Sequence, residues 1–324
     1  MKNRIVIISI IISAALLPVI LFTSGVLNVL VFRSVVYIKL HFTSGNMVEG
    51  KDGWFFYKPE LDYVLRKIPD KNIEGIAAFS RTLQQNKITL FVAPIPNKID
   101  IYPDKFTNVK TSHPVKPQLT DLLRKLEKEG VRTIDLRPAL EQEKRSHEVF
   151  GPYDTHWNPE GIEISARVIA ERIRPVMDSL GVRHKIRFET EDTSYLVNAF
   201  GNLAFNGKLP EYRLHVKQVL YSGGQPFTDD KEAKILILGD SFVDHCRWWN
   251  ANLGAHIARV AGTPTRTWFS LLANTDGPCM YKNKPGMFPR NGIVIWAFTA
   301  RVLRHHLRTP GNSDLTDSPE INDF

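Results

Sequence analysis

The apolar run Ile235-Leu236-Ile237-Leu238 ends in Gly239-Asp240-Ser241, and a segment of helical character starts at once with Phe242-Val243-Asp244-His245. A run with no polar face reads as a strand covered on both sides, which is how a parallel sheet between helical layers is built. A serine at the carboxyl end of such a strand stands where open α/β sheets bind their ligands. Gly-Asp-Ser is also a frequent turn followed by a helix cap. Ser241 therefore gains meaning only from a second block earlier in the chain, Tyr153-Asp154-Thr155-His156-Trp157.

A serine hydroxyl is a weak nucleophile at its own pKa and needs a base within hydrogen-bond reach, plus a third group to orient that base. Residues two apart in an extended segment point the same way, so Asp154 can hold one ring nitrogen of His156 and leave the other free. Ser241, His156 and Asp154 are the candidate catalytic residues. An acyl-transfer site also needs donors aimed at the developing oxyanion. The Ser241 backbone N–H is the first candidate, and Asn274 in the 272–277 loop is a second, with an ordinary turn role as its alternative.

The rest of the chain supplies the sheet and its helices. Lys51-Asp52-Gly53 before Trp54-Phe55-Phe56-Tyr57 signals a hairpin. A helical pattern runs over 72–86, a buried strand over 88–93, a helix over 117–129 and a strand over 131–136. Asn158 as N-cap, Pro159 at the first position and Glu160 in the first turn open another helix, expected to stop near Arg174 because Pro175 follows. One helix is expected from Ser241 to about Val260, and a last core strand over 293–298. This alternation predicts an α/β fold, a three-layer domain with a mainly parallel sheet. Residues 182–234 break it and read as an inserted segment of loops and strands with no assignable role. The polar 309–324 tail is expected to be disordered.

Lys2 and Arg4 precede a stretch from Ile5 to Phe32 that holds no Asp, Glu, Lys or Arg, longer than the roughly 20 helical residues that span a bilayer. It predicts a transmembrane helix, either a membrane anchor or a signal segment, over 1–35. A small-x-small cleavage pattern falls too early at Ser13-Ala14-Ala15 and is only fair at Thr23-Ser24-Gly25, which favours an uncleaved anchor. Basic residues ahead of the span keep the N-terminus in the cytoplasm and send the folded part across the inner membrane, into the periplasm. The two cysteines, Cys246 and Cys279, can pair in such a compartment, though two thiols carry little weight. Net charge of +8 permits an acidic polysaccharide or lipid head group as partner ahead of nucleic acid. Asp244-His245-Cys246 diverge around a helix and have no partner cluster, so no metal is expected, and no motif calls for a cofactor.

Three blocks together carry a resemblance: Gly50 to Tyr57, Asp154 to Trp157, and Gly239 to Phe242, with Pro94 to Pro103 in addition. Over about residues 48 to 305, within a domain expected at 48–308, the chain resembles the AlgJ/AlgX family of polysaccharide O-acetyltransferases. The resemblance implies an extracytoplasmic SGNH-hydrolase-like domain in which Asp-x-His precedes the serine. It implies that Ser241 takes an acetyl group and passes it to a hydroxyl of an exported polysaccharide such as alginate, with a membrane-bound O-acyltransferase (MBOAT) as donor partner. Trp157, Arg301 and Asn274 become candidate substrate contacts. The family tends to carry acidic residues between a C-terminal Trp and Arg, and Trp296-Ala297-Phe298-Thr299-Ala300-Arg301 lacks them. A carbohydrate acetyl esterase and a non-catalytic scaffold of an export or modification complex are the alternatives.

Overall fold

The protein was analysed in a computed structural model that describes residues 26–111, 117–182, 186–198, 211–270 and 273–308. The expected hairpin forms, with β1 (Met47–Glu49) antiparallel to β2 (Phe55–Tyr57). Asp52 and Gly53 take the turn at φ of 54° and 74°, a left-handed pair that glycine relieves. Strands β3 (Thr89–Ile95) and β4 (Arg132–Thr133) join the main sheet, whereas β5 (Phe188–Asn198) and β6 (Glu211–Tyr221) make a separate antiparallel hairpin. With β7 (Ile235–Gly239), β8 (Arg266–Phe269) and β9 (Ile293–Thr299), the main sheet is five-stranded and parallel, in the order β4-β3-β9-β7-β8.

The three inner strands send alternate residues to opposite faces, and the two faces make two cores. Phe91, Ala93, Ile95, Ile235, Ile237, Ile293, Ile295 and Ala297 belong to one; Leu90, Val92, Leu236, Leu238, Val294, Trp296 and Phe298 belong to the other. Helix α1 (Val26–Phe42) lies on the first face through Phe32 and Val36, close to helix α2 (Lys58–Leu65). Helix α3 (Lys71–Gln85) and helix α4 (Pro117–Lys128) cover the second face through Ile76, Phe79, Leu83, Leu122 and Leu126. Helix α5 (Pro159–Ser179) buries Ile162, Ala166, Ile169 and Ile173 on the first face. There it packs beside α7 (Leu253–Ala261), which follows the short α6 (Ser241–Asp244). Helix α8 (Ala273–Asn283) touches β7 and β9. The three-layer arrangement read from the pattern is the one observed.

Three local expectations need correction. The 131–136 segment pairs only at Arg132 and Thr133. Helix α5 runs through Pro175, because Ile173, Val176 and Met177 stay buried and that packing offsets the roughly 3 kcal/mol that an interior proline costs. The segment after Ser241 is not one helix: Cys246 (φ 66°) and Asn250 (φ 50°) are left-handed and isolate a single turn, Arg247–Trp249. Strand β8 was not expected at all.

At the N-terminus, Arg33 donates to the Val64 and Leu65 carbonyls at 2.6 and 2.9 Å, capping the C-terminal end of α2. Residues 1–25 of the expected anchor and the 309–324 tail lie outside the described residues. Among the described residues no helix is long and apolar enough to cross a membrane, so no transmembrane helix is observed.

Candidate active site

Strands β3, β9 and β7 are neighbours, and their carboxyl ends deliver the residues at the centre of the molecule. Gly239 closes β7 and Ser241 opens α6. Between them, Asp240 accepts the Phe242 N–H through Oδ1 at 3.1 Å, the N-cap role its residue type predicts. Its Oδ2 accepts the Thr299 N–H at 2.9 Å and the Thr299 hydroxyl at 2.8 Å. One buried carboxylate thus ties the end of β7 to the end of β9.

The Asp154-x-His156 loop lies against this turn. Asp154 Oδ1 accepts from His156 Nδ1 at 2.8 Å and from the His156 backbone N–H at 2.9 Å. A carboxylate can only accept, so the neutral ring carries its proton on Nδ1 and leaves Nε2 as acceptor. The Ser241 hydroxyl stands 2.9 Å from that Nε2. Asp154 and His156 are buried, and Ser241 is half-buried. Burial alone would raise the Asp154 carboxyl, but the charge and hydrogen bonds of His156 outweigh it and hold the group at about 2. In this geometry Nε2 can take the serine proton as Oγ attacks an ester carbonyl.

Residues that sequence reasoning did not single out hold the loop. Lys98, fully buried just past β3, donates through Nζ to the carbonyls of Asp154, Gly151 and Pro152 at 2.6, 3.0 and 3.3 Å. Burial lowers its pKa to about 8, against the pull of Glu60 and Asp154. Glu60, also fully buried, accepts from the Thr155 hydroxyl and lies 3.9 Å from the Arg301 guanidinium. Burial raises the Glu60 pKa, while Arg301 and Lys98 oppose it. Arg301, predicted as a substrate contact, sits between the rings of Tyr57 and Phe242 at 5.3 and 5.2 Å. The segment from Trp296 to Arg301 holds no carboxylate of its own, and Arg301 meets one from α2 instead. Glu60 lies between Lys58 and Asp62 in the sequence, so no local signal marks it as buried.

His245 was not anticipated either. Its ring stacks on His156 with centroids 4.7 Å apart and planes within 5°. Burial, then repulsion from His156, pushes its pKa down to about 3 and keeps it neutral. Trp157, the second predicted substrate contact, lies beneath the site: it is fully buried and its indole N–H donates to the Phe242 carbonyl at 3.1 Å. Asn274 falls in α8 rather than in a loop, and its side chain lies outside the described residues. Cys246 and Cys279 are free thiols.

The profile of the family described as an SGNH hydrolase-like domain, acetyltransferase AlgX, matches residues 47–298, well over half of the chain. The protein belongs to that family. Among relatives of this SGNH-like domain, a probable alginate O-acetylase AlgJ from Pseudomonas fluorescens is 25% identical over 296 residues, covering 84% of this chain and 70% of that protein. The alginate biosynthesis protein AlgX of Pseudomonas aeruginosa is 24% identical over 273 residues, which is 78% of this chain and 55% of AlgX. The chain therefore spans about half the length of AlgX. The solved O-acetyltransferase domain of Pseudomonas putida AlgJ superposes with a TM-score of 0.61 at 20% identity, over 82% of this chain and 94% of that domain. At that identity the likeness establishes the SGNH-like α/β fold.

Proposed function

We propose that the protein is an O-acetyltransferase that carries acetyl on Ser241 to a hydroxyl of an exported polysaccharide. The observation that carries this reading is the 2.9 Å contact between Ser241 Oγ and His156 Nε2, with Asp154 on the other ring nitrogen. In the first half-reaction His156 takes the Oγ proton, Oγ bonds to the acetyl carbonyl carbon, and the imidazolium returns the proton to the leaving group. In the second half-reaction the acceptor hydroxyl gives its proton to Nε2, attacks acetyl-Ser241 and restores the free serine. The Ser241 backbone N–H, at the first residue of α6, supplies a donor for the oxyanion in both steps. Family membership and the names of the AlgJ and AlgX relatives support acetyl transfer in polysaccharide modification.

The donor partner of this reading is a membrane-bound O-acyltransferase that exports acetyl, and the site is periplasmic beside the inner membrane. Two features support an anchor: the uncharged stretch from Ile5 to Phe32 in the sequence, and the outward apolar residues of α1, where Leu30, Val31, Ile38 and Phe42 are exposed.

The test is turnover of a small acetyl ester, followed by transfer from that ester to oligosaccharides. Ser241→Ala and His156→Ala are each expected to lower kcat at least about a thousandfold, and the double variant to be no worse, because triad members act as a unit. Equal turnover by wild type and Ser241→Ala would remove Ser241 from the mechanism. Acetylated sugar, read as added mass, establishes transfer; loss of acetyl from a pre-acetylated sugar with none gained makes the protein an esterase.

A further inference from the structure

The β5–β6 hairpin, whose sequence gave no role, closes one side of a cavity beside the catalytic loop. The cavity has a volume of about 350 Å3, at the low end of the roughly 300–1,000 Å3 of small-ligand sites. Residues 151–153, which lead directly into Asp154, form one wall, the first residues of α5 form the second, and β6 forms the third. Tyr153 and Tyr212 face each other across the first and third walls with ring centroids 6.4 Å apart. Tyr153 directly precedes Asp154 in the chain, which sets the aromatic pair beside the triad loop.

The lining chemistry suits a sugar. Two tyrosine faces offer apolar contact to ring C–H groups, and Glu148, Glu160, Arg213 and His215 offer acceptors and donors for hydroxyls. His147 completes the rim and already bonds Glu143 at 2.7 Å. The charges select which sugar. Among the lining residues two carboxylates stand against one guanidinium, so the lining itself is net negative although the whole chain carries +8. With a screening length of about 8 Å in physiological salt, groups that line the cavity weigh more than charges spread across the surface, and the Lys98 ammonium behind the Gly151 and Pro152 carbonyls is already engaged by them.

We infer that this cavity binds an uncharged hexopyranose segment of the acceptor and selects a neutral glycan over a polyuronate. The inference rests on the acetyltransferase reading, because it is the acceptor of that reaction that the cavity holds. A uronate ring here would set its carboxylate beside Glu148 and Glu160, with Arg213 the one guanidinium in the lining, whereas a sugar hydroxyl can donate to either carboxylate or accept from the guanidinium.

The test measures binding, so it stays separate from turnover. In full-length protein carrying Ser241→Ala, titration calorimetry compares hexamers of β-1,4-linked glucose and of β-1,4-linked mannose with a hexamer of β-1,4-linked mannuronate. At least one neutral hexamer is expected to bind about tenfold or more tighter than the uronate, a difference of about 1.4 kcal/mol. Arg213→Ser, at an exposed edge position, is expected to weaken neutral binding severalfold with unchanged thermal unfolding, and Tyr212→Ala to weaken it likewise with some loss of stability, because Tyr212 packs against the core. Glu148→Gln together with Glu160→Gln is expected to raise uronate affinity. If Tyr212→Ala unfolds, Arg213→Ser and the glutamine pair carry the same comparison. Equal or tighter uronate binding, no binding of either neutral hexamer, or variants that bind as the parent does would overturn the inference. An inactive enzyme that still prefers neutral hexamers would instead overturn only the acetyl-transfer reading.

Discussion

Gly239 pairs with Ala297 at the carboxyl end of β7, two residues before Ser241. A Cβ at this position would lie 2.0 Å from the Ala297 carbonyl oxygen and 2.5 Å from the Val243 side chain. The first neighbour is backbone of the central strand and cannot swing aside, so Gly239→Ala must part the two strands. Overpacking of this kind costs about 1–3 kcal/mol or somewhat more. Urea unfolding is expected to show that loss, and turnover of the remaining folded protein should fall further because Ser241 moves with the turn. A variant of wild-type stability and activity would mean that the strands tolerate the extra carbon. Asp240 is the complementary case. Asp240→Ala leaves the N–H groups of Phe242 and Thr299 without the acceptor that held them, and each unpaired buried donor costs about 1–3 kcal/mol. Urea melts of Asp240→Asn, which keeps one acceptor oxygen, should recover part of the difference.

At the scale of elements, the catalytic loop is held from beneath by the segment after β3, and this support was not legible beforehand. Asp154 and His156 are two residues apart, so their contact follows from local geometry. The strand run into Gly-Asp-Ser likewise announces itself. Lys98 meets the loop across 53 to 56 residues of sequence, and nothing in Pro96-Asn97-Lys98 tells a buried lysine from a surface one. The same holds for Glu60 and Arg301, whose partners are set only by how α2 and the end of β9 pack. Strand β8 escaped notice because Arg266-Thr267-Trp268-Phe269 is short and half-polar, as befits an edge strand. The inner strands were plain because burial on both faces leaves only apolar residues. Lys98→Met fills much of the same space against Trp54 and Phe56 but withdraws the donor from the carbonyls of Gly151, Pro152 and Asp154. The expected result is a kcat on a small acetyl ester lower by about tenfold or more, about 1.4 kcal/mol in the barrier, with KM nearly unchanged. A rise in KM with kcat intact would show that Lys98 serves binding rather than placement of the base.

For the molecule as a whole, His256 on α7 is completely buried, and neither ring nitrogen finds a hydrogen-bond partner among the described residues. Burial, with Arg259 and Lys217 adding repulsion, pushes its pKa down from 6.5 to about 3. The unfolded chain therefore takes up a proton as pH falls through 6.5, while the folded chain stays neutral at this site until about 3. Stability must drop across that window, by about 1.4 kcal/mol per pH unit and about 2 kcal/mol by pH 5. Asp100 acts in the opposite sense. Burial raises it to about 6 from 3.8, so its contribution to stability improves as pH falls over that range. Asp154, held at about 2 from 3.8, loses its contribution only at more acid pH. The wild-type profile alone mixes these terms, but the difference between wild type and His256→Leu cancels those from Asp100 and Asp154. Urea unfolding of both proteins near pH 7.5 and near pH 5 is expected to show the variant losing about 2 kcal/mol less than wild type between the two conditions. Equal losses would mean that His256 becomes protonated in the folded protein, and that its surroundings on α7 open to water in mild acid.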